Sequence, residues 1–410
     1  MQQGQSSLLG EGALRQEDSS KLQSRALSGL KRILFVIGTR PEAIKLAPVV
    51  LELRKSEEFE TKVCATAQHR QMLDQVLALF GILPDYDLDV MAPNQHLADL
   101  TARVLEGVRK VFVTWRPDLV LVQGDTTTTF AASLAAFYEG IPVGHIEAGL
   151  RTGNLYAPWP EEVNRRFTSL VASHHFAPTE WAKENLLREA VDPESIQVTG
   201  NTVIDALKEV ISRLSWDQNL RERCETEFSY LDPARRLILI TGHRRENFGD
   251  AFRNICFALR ELSLRDDVEL IYPVHLNPNV RRPVQGILQG CKNIHLIEPQ
   301  QYEPFCYLLQ RCYLIITDSG GIQEEATYLR KPVLLMRETT ERPEAVEVGT
   351  VKLVGTNDRT IVEEAHRLLD DQAAYDAMRN VASPFGDGFA ARRIVEYLEM
   401  LRGVHCEADV

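Results

Sequence analysis

The chain has 410 residues, too many for one ordinary core and a natural length for two domains of usual size. Its composition, 44% hydrophobic and 25% charged, is that of a packed globular protein, and no apolar run approaches the roughly 18–20 residues a membrane span needs. A formal charge of −12 with no basic block excludes non-specific nucleic-acid binding and leaves any anion to a local cluster of cations.

Residues 1–30 are polar and lack the apolar core of a secretory signal, so they read as a disordered tail or an over-extended start. From 31 onward, short β-branched runs alternate with helical segments, the pattern of a parallel sheet covered by helices. Strands are predicted near 32–38, 61–67, 119–123, 143–147, 174–177 and 195–199. Helices fall between them at 43–54, 72–80, 97–114, 127–138, 161–171 and 180–189. A polar, strand-poor stretch at 212–234 interrupts the series. Strands then resume near 236–241, 269–273, 294–297, 313–317, 332–336 and 351–354. The final helix, 390–402, follows a Gly/Pro-rich turn and is expected to cross back to the first unit. The fold class is therefore α/β, with one doubly wound domain at 31–200 plus 385–402 and a second at 201–384. Seven scattered cysteines with no C-x-x-C pair indicate neither a disulfide framework nor a zinc cage, and place the chain in a reducing, cytoplasmic compartment.

In doubly wound sheets, ligands sit outside the carboxyl ends of the strands, so the residues just after each strand are the informative ones. The first strand runs into Gly38-Thr39-Arg40-Pro41-Glu42, with Lys45 one helical turn on. The strand at 119–123 ends Gln123-Gly124-Asp125 before four threonines, and the next strand ends at Glu147. In the second series, the first strand leads to Gly242-His243-Arg244-Arg245-Glu246 and the strand at 313–317 leads to Asp318-Ser319-Gly320-Gly321. Ser-Gly-Gly between a strand and a helix lets backbone approach a phosphate, with free N–H groups and the helix dipole favouring its charge. Alone, it is equally an ordinary tight turn. Glu325, farther along that helix, is placed either to meet ribose hydroxyls or to face water.

Arg40, Lys45, His243, Arg244, Arg245 and Arg342 supply cations, and a cluster of them at strand ends in an acidic protein points to an anionic ligand. Arginine's planar fork suits a diphosphate. Three carboxylates stand out. Asp125 has a plain reading as N-cap of the following helix, and Glu161 as a complement to its own helix dipole. Glu147 ends an apolar strand, where an unpaired carboxylate is costly, so a partner or substrate is expected. No G-x-G-x-x-G, P-loop or metal-ligand spacing occurs. His145-x-Glu147 matches half of a deaminase zinc motif whose P-C-x-x-C half is missing, so neither metal nor cofactor is expected.

These motifs, with Gln68-His69-Arg70-Gln71-Met72-Leu73, Pro158-Trp159-Pro160-Glu161-Glu162 and Thr339-Thr340-Glu341-Arg342-Pro343-Glu344, resemble the bacterial non-hydrolysing UDP-N-acetylglucosamine 2-epimerases from about 31 to 401. The resemblance implies two Rossmann-like domains facing a cleft, a glycosyltransferase-B-like fold, and a homodimer. It implies interconversion of UDP-GlcNAc and UDP-ManNAc, as a surface-polysaccharide precursor step, by elimination of UDP and re-addition to a 2-acetamidoglucal. On that basis uridine and diphosphate meet Arg40, Gln300, Phe305, Ser319, Gly320, Gly321, Glu325 and Arg342, with His243 near the phosphates. Asp125, Glu147 and Glu161 are the acid/base carboxylates, with Lys45 nearby. A second UDP-GlcNAc, bound as activator, would meet Gln68, Gln71, Gln95, Glu161, Arg244 and His275; Asn94 stands where a relative has Arg. The alternatives are a hydrolysing epimerase, a retaining glycosyltransferase on the same fold, and a catalytically silent UDP-sugar sensor.

Overall fold

The computed structural model describes residues 31–66, 70–91 and 95–403. The expected tail, Gln68 and Asn94 lie outside the described residues, as does the side chain of Gln71. Two parallel sheets form the frame. In the first, β1 (Arg32–Ile37), β2 (Glu60–Ala65), β3 (Tyr86–Asp87), β4 (Leu119–Gln123), β5 (Val143–Ile146), β6 (His174–Ala177) and β7 (Ile196–Val198) take the order β3-β2-β1-β4-β5-β6-β7. In the second, β8 (Arg236–Thr241), β9 (Val268–Pro273), β10 (Ile294–Ile297), β11 (Leu314–Thr317), β12 (Val333–Leu335) and β13 (Val351–Leu353) take the order β10-β9-β8-β11-β12-β13. Helices cover both faces of each sheet, which is why β4, β5 and β11 are buried along their whole length and carry Val, Leu or Ile on both faces.

Strand order reverses between β1 and β4 in one sheet and between β8 and β11 in the other. A crevice opens at such a switch point, outside the carboxyl ends of the diverging strands. The four loops rich in Gly, Arg, His and Asp leave those four strands.

Two features depart from the periodicity. β3 is only two residues long, in a segment with no apolar run. It is held by long-range bonds, among them Asp85 Oδ2 accepting from Val63 N at 2.9 Å. The strand-poor stretch holds the helix Gln218–Glu227, capped by Asp217 Oδ1 accepting from Leu220 N at 3.0 Å, after the long helix Thr202–Trp216. That long helix packs on Arg40–Leu53 of the first unit and on Tyr302–Arg311 and Gly320–Tyr328 of the second. One hydrophobic core consequently runs through both halves, from Phe35 and Leu46 through Leu207 to Leu309 and Ile315. The helix Ala390–Gly403 packs on Arg40–Leu53 and Thr202–Trp216.

The two chain crossings between halves touch through glycine. Asn201 N donates to Phe385 O at 2.8 Å, and a Cβ on Gly200, at φ +87°, would lie 3.2 Å from Gly386 Cα. Among the described residues, no helix is long and apolar enough to cross a membrane.

Candidate active site between the two sheets

The first sheet contributes the carboxylates. Glu147 follows β5 with φ +65°, a left-handed conformation that costs a non-glycine residue on the order of 1–3 kcal/mol and persists only where surroundings enforce it. The enforcing contacts are visible. Lys45 Nζ and Gln123 Nε2 both bond to Glu147 Oε2, and Arg342 Nη2 reaches Oε1 at 3.2 Å. The expected partner of Glu147 is thus a set of three, two of them cations.

Asp125 does not cap the following helix. Thr126 does, its Oγ1 accepting from Thr129 N at 3.0 Å. Asp125 is instead ion-paired with Arg165, while Asn164 Nδ2 donates to its backbone carbonyl at 2.9 Å. Arg165, on the helix Glu161–Val171, stands 40 residues from Asp125 in the chain, so no local spacing pairs the two. Glu161 opens the helix Glu161–Val171 after Pro160. Its Oε2 is buried without a partner among the described residues. Of the three carboxylates, two are paired with cations and this one has a buried oxygen with no partner among the described residues.

The second sheet contributes the anion-binding frame. Asp318, fully buried after β11, accepts from His243 N and Arg244 N, each at 2.9 Å, and from Asn247 Nδ2 at 3.2 Å. This carboxylate shapes the loop after β8 and sets the His243 ring against His275, with centroids 5.4 Å apart and planes 19° from parallel. Ser319 is the N-cap of Gly320–Tyr328 but makes no side-chain cap bond.

The two glycines behind Ser319 differ. A Cβ on Gly320 would lie 2.5 Å from Glu341 Oε1 and 2.6 Å from Arg342 Nη1, whereas one on Gly321 would meet nothing within 4 Å. We expect Gly320→Ala to weaken nucleotide binding at least tenfold by calorimetry, because the ion cluster must shift, and Gly321→Ala to leave it within a few-fold of wild type. Equal effects of the two changes would contradict this steric assignment.

Arg342 is not an open cation waiting for an anion. Buried to 5% exposure, its guanidinium pairs with Glu324, with Glu341 at 2.9 Å and with Glu147 at 3.2 Å. Glu341 also receives Arg337 at 2.7 Å and lies 3.6 Å from Arg244. Burial by itself would raise the pKa of Glu341, but Arg342, Arg337 and Arg244 hold it below the usual carboxylate range. Glu325 is not a solvated helix charge: it is buried, accepts from Tyr302 Oη at 3.0 Å, and burial pushes its pKa up to about 7.

Arg40 Nη1 donates to the Gln300 carbonyl at 3.0 Å, so Arg40 and Gln300 meet across the halves, and burial lowers the Arg40 pKa from its usual value. Phe305, on the adjoining helix, is half-buried against the core. Asn201 Nδ2 donates to Glu324 Oε2 at 2.6 Å, a further cross-link at the cleft floor. The structure therefore links Lys45, Glu147, Gly320 and Arg342 by direct contact and pairs Arg40 with Gln300, with Glu325 in electrostatic reach of both Lys45 and Arg40 and with Asp125 and His243 on adjoining strand ends.

Of the remaining expected residues, Arg244 joins this cluster through Glu341, with its Nε buried and unbonded among the described residues, and His275 is exposed beside His243. Gln95, just before the helix Leu97–Thr114, has a buried Oε1 with no partner among the described residues. Sequence reasoning assigned no individual role to Arg165, Gln123, Glu324 or Glu341, which complete the pairings. Among the described residues, no group of three or more His, Cys, Asp or Glu side chains is placed to hold a metal.

Two doubly wound parallel sheets meeting at their switch points, with paired carboxylates on one side and a Ser-Gly-Gly turn with cations on the other, define a glycosyltransferase-B-like α/β protein. The likeness of fold extends to a glycosyltransferase from Rickettsia africae at 14% identity and TM-score 0.56. Much stronger matches identify the family. The UDP-N-acetylglucosamine 2-epimerase family model matches residues 51–399. The UDP-N-acetylglucosamine 2-epimerase of Escherichia coli K12 is 57% identical over 369 residues, covering 90% of this chain and 98% of that one. The crystal structure of the Neisseria meningitidis UDP-GlcNAc 2-epimerase bound to UDP-GlcNAc matches with TM-score 0.87 at 53% identity, covering 90% of this chain and all of that one (100%). The Methanocaldococcus jannaschii enzyme in complex with UDP-GlcNAc and UDP gives TM-score 0.78 at 34% identity, covering 90% and 99%. The chain belongs to the UDP-N-acetylglucosamine 2-epimerase family.

Proposed function

We propose that this protein interconverts UDP-GlcNAc and UDP-ManNAc without net hydrolysis, feeding cell-surface polysaccharide synthesis from the cytoplasm. The observation that carries this reading is the opposition of two chemistries across one cleft: Asp125, Glu147 and Glu161 on one wall, the Ser319-Gly320-Gly321 turn with its cations on the other. The C2 proton of an N-acetylhexosamine has no adjacent carbonyl to acidify it, so direct abstraction is unfavourable. Elimination of UDP avoids that difficulty. The C2–H and C1–O bonds break, the electron pair of the former becomes the C1–C2 double bond of 2-acetamidoglucal, and the diphosphate leaves with the electrons of the latter. Re-addition of UDP to C1 with protonation of the opposite face of C2 gives the epimer.

The departing diphosphate needs preorganised positive charge, which Arg40, His243, Arg342 and the helix start at Gly320 are placed to offer. Binding requires Arg342 to exchange a carboxylate partner for phosphate oxygens. Carboxylates acting on both faces of C2 are the other requirement, and we assign that work to Asp125, Glu147 and Glu161, with Lys45 orienting Glu147. Gln300, Phe305 and Glu325 complete the nucleoside pocket in this reading, and Gln68, Gln71, Gln95, Glu161, Arg244 and His275 bind a second UDP-GlcNAc as activator. The ligands named for the Neisseria and Methanocaldococcus structures support a UDP-sugar in the cleft.

We assign the two functional units to 31–200 plus 385–402 and 201–384, closing on the ligand, and the assembly to a homodimer. We assign the second copy to the packed helices Thr127–Tyr138 and Glu161–Val171, where Phe137, Tyr138, Phe167 and Leu170 are exposed apolar side chains.

Incubation with UDP-GlcNAc tests the reaction. Chromatography should resolve UDP-ManNAc at equilibrium with substrate. Accumulation of free ManNAc and UDP would establish the hydrolysing alternative, and no turnover at all would leave a UDP-sugar sensor.

A further inference from the structure

We propose that Glu42, carrying a proton, is a positioning residue that locks the Arg40 turn to the Asp125 turn, and that turnover depends on its neutral form. The inference rests on the epimerase reading above for its activity arm only. Glu42 lies in the first turn of the helix Arg40–Leu53, 1% exposed. Its Oε2 accepts from Gly38 N at 3.2 Å. Its Oε1 stands 2.8 Å from Thr126 Oγ1 and 3.1 Å from Thr129 Oγ1.

No cation bonds to this carboxyl among the described residues. The nearby positive groups are engaged elsewhere: Lys45 with Glu147, Arg165 with Asp125, and Arg40 Nη1 with the Gln300 carbonyl. The groups that face it are the Gly38 N–H and Thr39 from the turn after β1 and two hydroxyls from the start of the helix Thr127–Tyr138, none of them ionisable near neutral pH. A buried carboxylate with only neutral donors is unfavourable.

The hydrogens can be counted. Thr129 Oγ1 lies 2.6 Å from Gln123 O, which can only accept, so the Thr129 hydrogen is spent there. Three oxygens then remain in mutual contact: Glu42 Oε1, Thr126 Oγ1 and Thr129 Oγ1, the two hydroxyls being 3.1 Å apart. Thr126 has one hydrogen for these three contacts. An ionised Glu42 leaves two of them as bare oxygen–oxygen approaches. A proton on Glu42 completes a chain in which Thr126 donates to Glu42 and Glu42 donates to Thr129. Burial raises the pKa of Glu42 to about 7, in agreement with that count.

The consequence is mechanical. Gly38 leads into Arg40, Thr126 adjoins Asp125, and the two turns flank the switch point of the first sheet. They already touch so closely that a Cβ on Gly38 would lie 2.1 Å from Thr128 Oγ1. Neutral Glu42 pins them as one body. Loss of its proton as pH rises through about 7 turns the Thr129 contact repulsive and loosens Arg40 against Asp125. The sign is therefore a loss of turnover on the alkaline side.

The test compares Glu42→Gln and Glu42→Ala with wild type in UDP-GlcNAc/UDP-ManNAc interconversion across neutral and alkaline pH. Glu42→Ala should lose on the order of 10²-fold in kcat, the cost of a misplacement near 1 Å, with a smaller change in KM. Glu42→Gln, neutral and nearly isosteric, should restore kcat to within a few-fold and should lack the decline that wild type shows above about pH 7. A wild-type minus Glu42→Gln infrared difference on the acid side of neutral should contain the C=O band of one protonated carboxyl, fading as pH rises through about 7. Wild-type kcat in Glu42→Ala, a Glu42→Gln as impaired as Glu42→Ala, or absence of that band each overturns the proposal. If wild type itself does not interconvert the two sugars, the functional reading fails, while the infrared band still decides whether Glu42 holds a proton.

Discussion

Asp125→Asn is expected to lower turnover by roughly 10²–10⁴-fold while leaving UDP affinity within a few-fold of wild type. Asparagine keeps the shape of the side chain and can still contact Arg165, so the fold of the β4 turn should survive. What it cannot do is take a proton from C2. The isotope experiment makes the same point without a mutation. In deuterium oxide each productive turnover exchanges C2–H, so wild-type product should carry deuterium at C2, and recovered substrate should acquire it as the reaction reverses. Asp125→Asn should slow both processes together. Protium retained at C2 after full equilibration would falsify elimination and favour a hydride-transfer route, and with it would go the role given to Asp125.

Arg342→Ala should be the most damaging single change to the cleft, acting on stability and binding together. Removing this side chain leaves Glu324, Glu341 and Glu147 without the cation that joins them. Breaking a buried pair by deleting one partner typically costs about 3–5 kcal/mol, since the orphaned charge stays buried. Chemical denaturation should report a loss of that size if unfolding is cooperative. UDP affinity measured on the folded variant should fall by a further increment on the order of 1.5–3 kcal/mol, the usual contribution of a charge-assisted contact. Arg342→Lys should recover only part of either effect. Its point charge cannot hold Glu324 through Nε while bonding Glu341 and Glu147 through separate nitrogens, as the planar fork does. Unchanged stability in Arg342→Ala would show that the three carboxylates are relieved by some other route, and unchanged affinity would remove Arg342 from the nucleotide site.

Much of the architecture was legible because it is written locally. Strands buried on both faces must be apolar along their length, as at Leu119–Gln123 and Leu314–Thr317, and helices between them must carry one apolar stripe. The loops that could hold a ligand followed from the same reading, because a doubly wound sheet has only one kind of crevice. What escaped was whatever has no local periodicity. Tyr86–Asp87 is a strand only because β2 offers an edge beside it. The helix Thr202–Trp216 falls at the expected domain boundary, yet its packing surfaces are supplied by both units.

For the site, the sequence by itself determined which residue types stand at each strand end: Arg40, Asp125 and Glu147 in one sheet, His243, Ser319 and Gly320 in the other. Only the tertiary structure decided what each charge touches. Lys45 and Glu147 are separated by 102 residues, and Glu147 and Arg342 by 195, so no spacing rule could pair them. The same holds for Asp125, which local rules assign to a helix cap and the fold assigns to Arg165, leaving the cap to Thr126. The physical reason is that a buried charge is placed by its desolvation cost and its counter-ion, and both are properties of the folded surroundings rather than of the neighbouring residues in the chain.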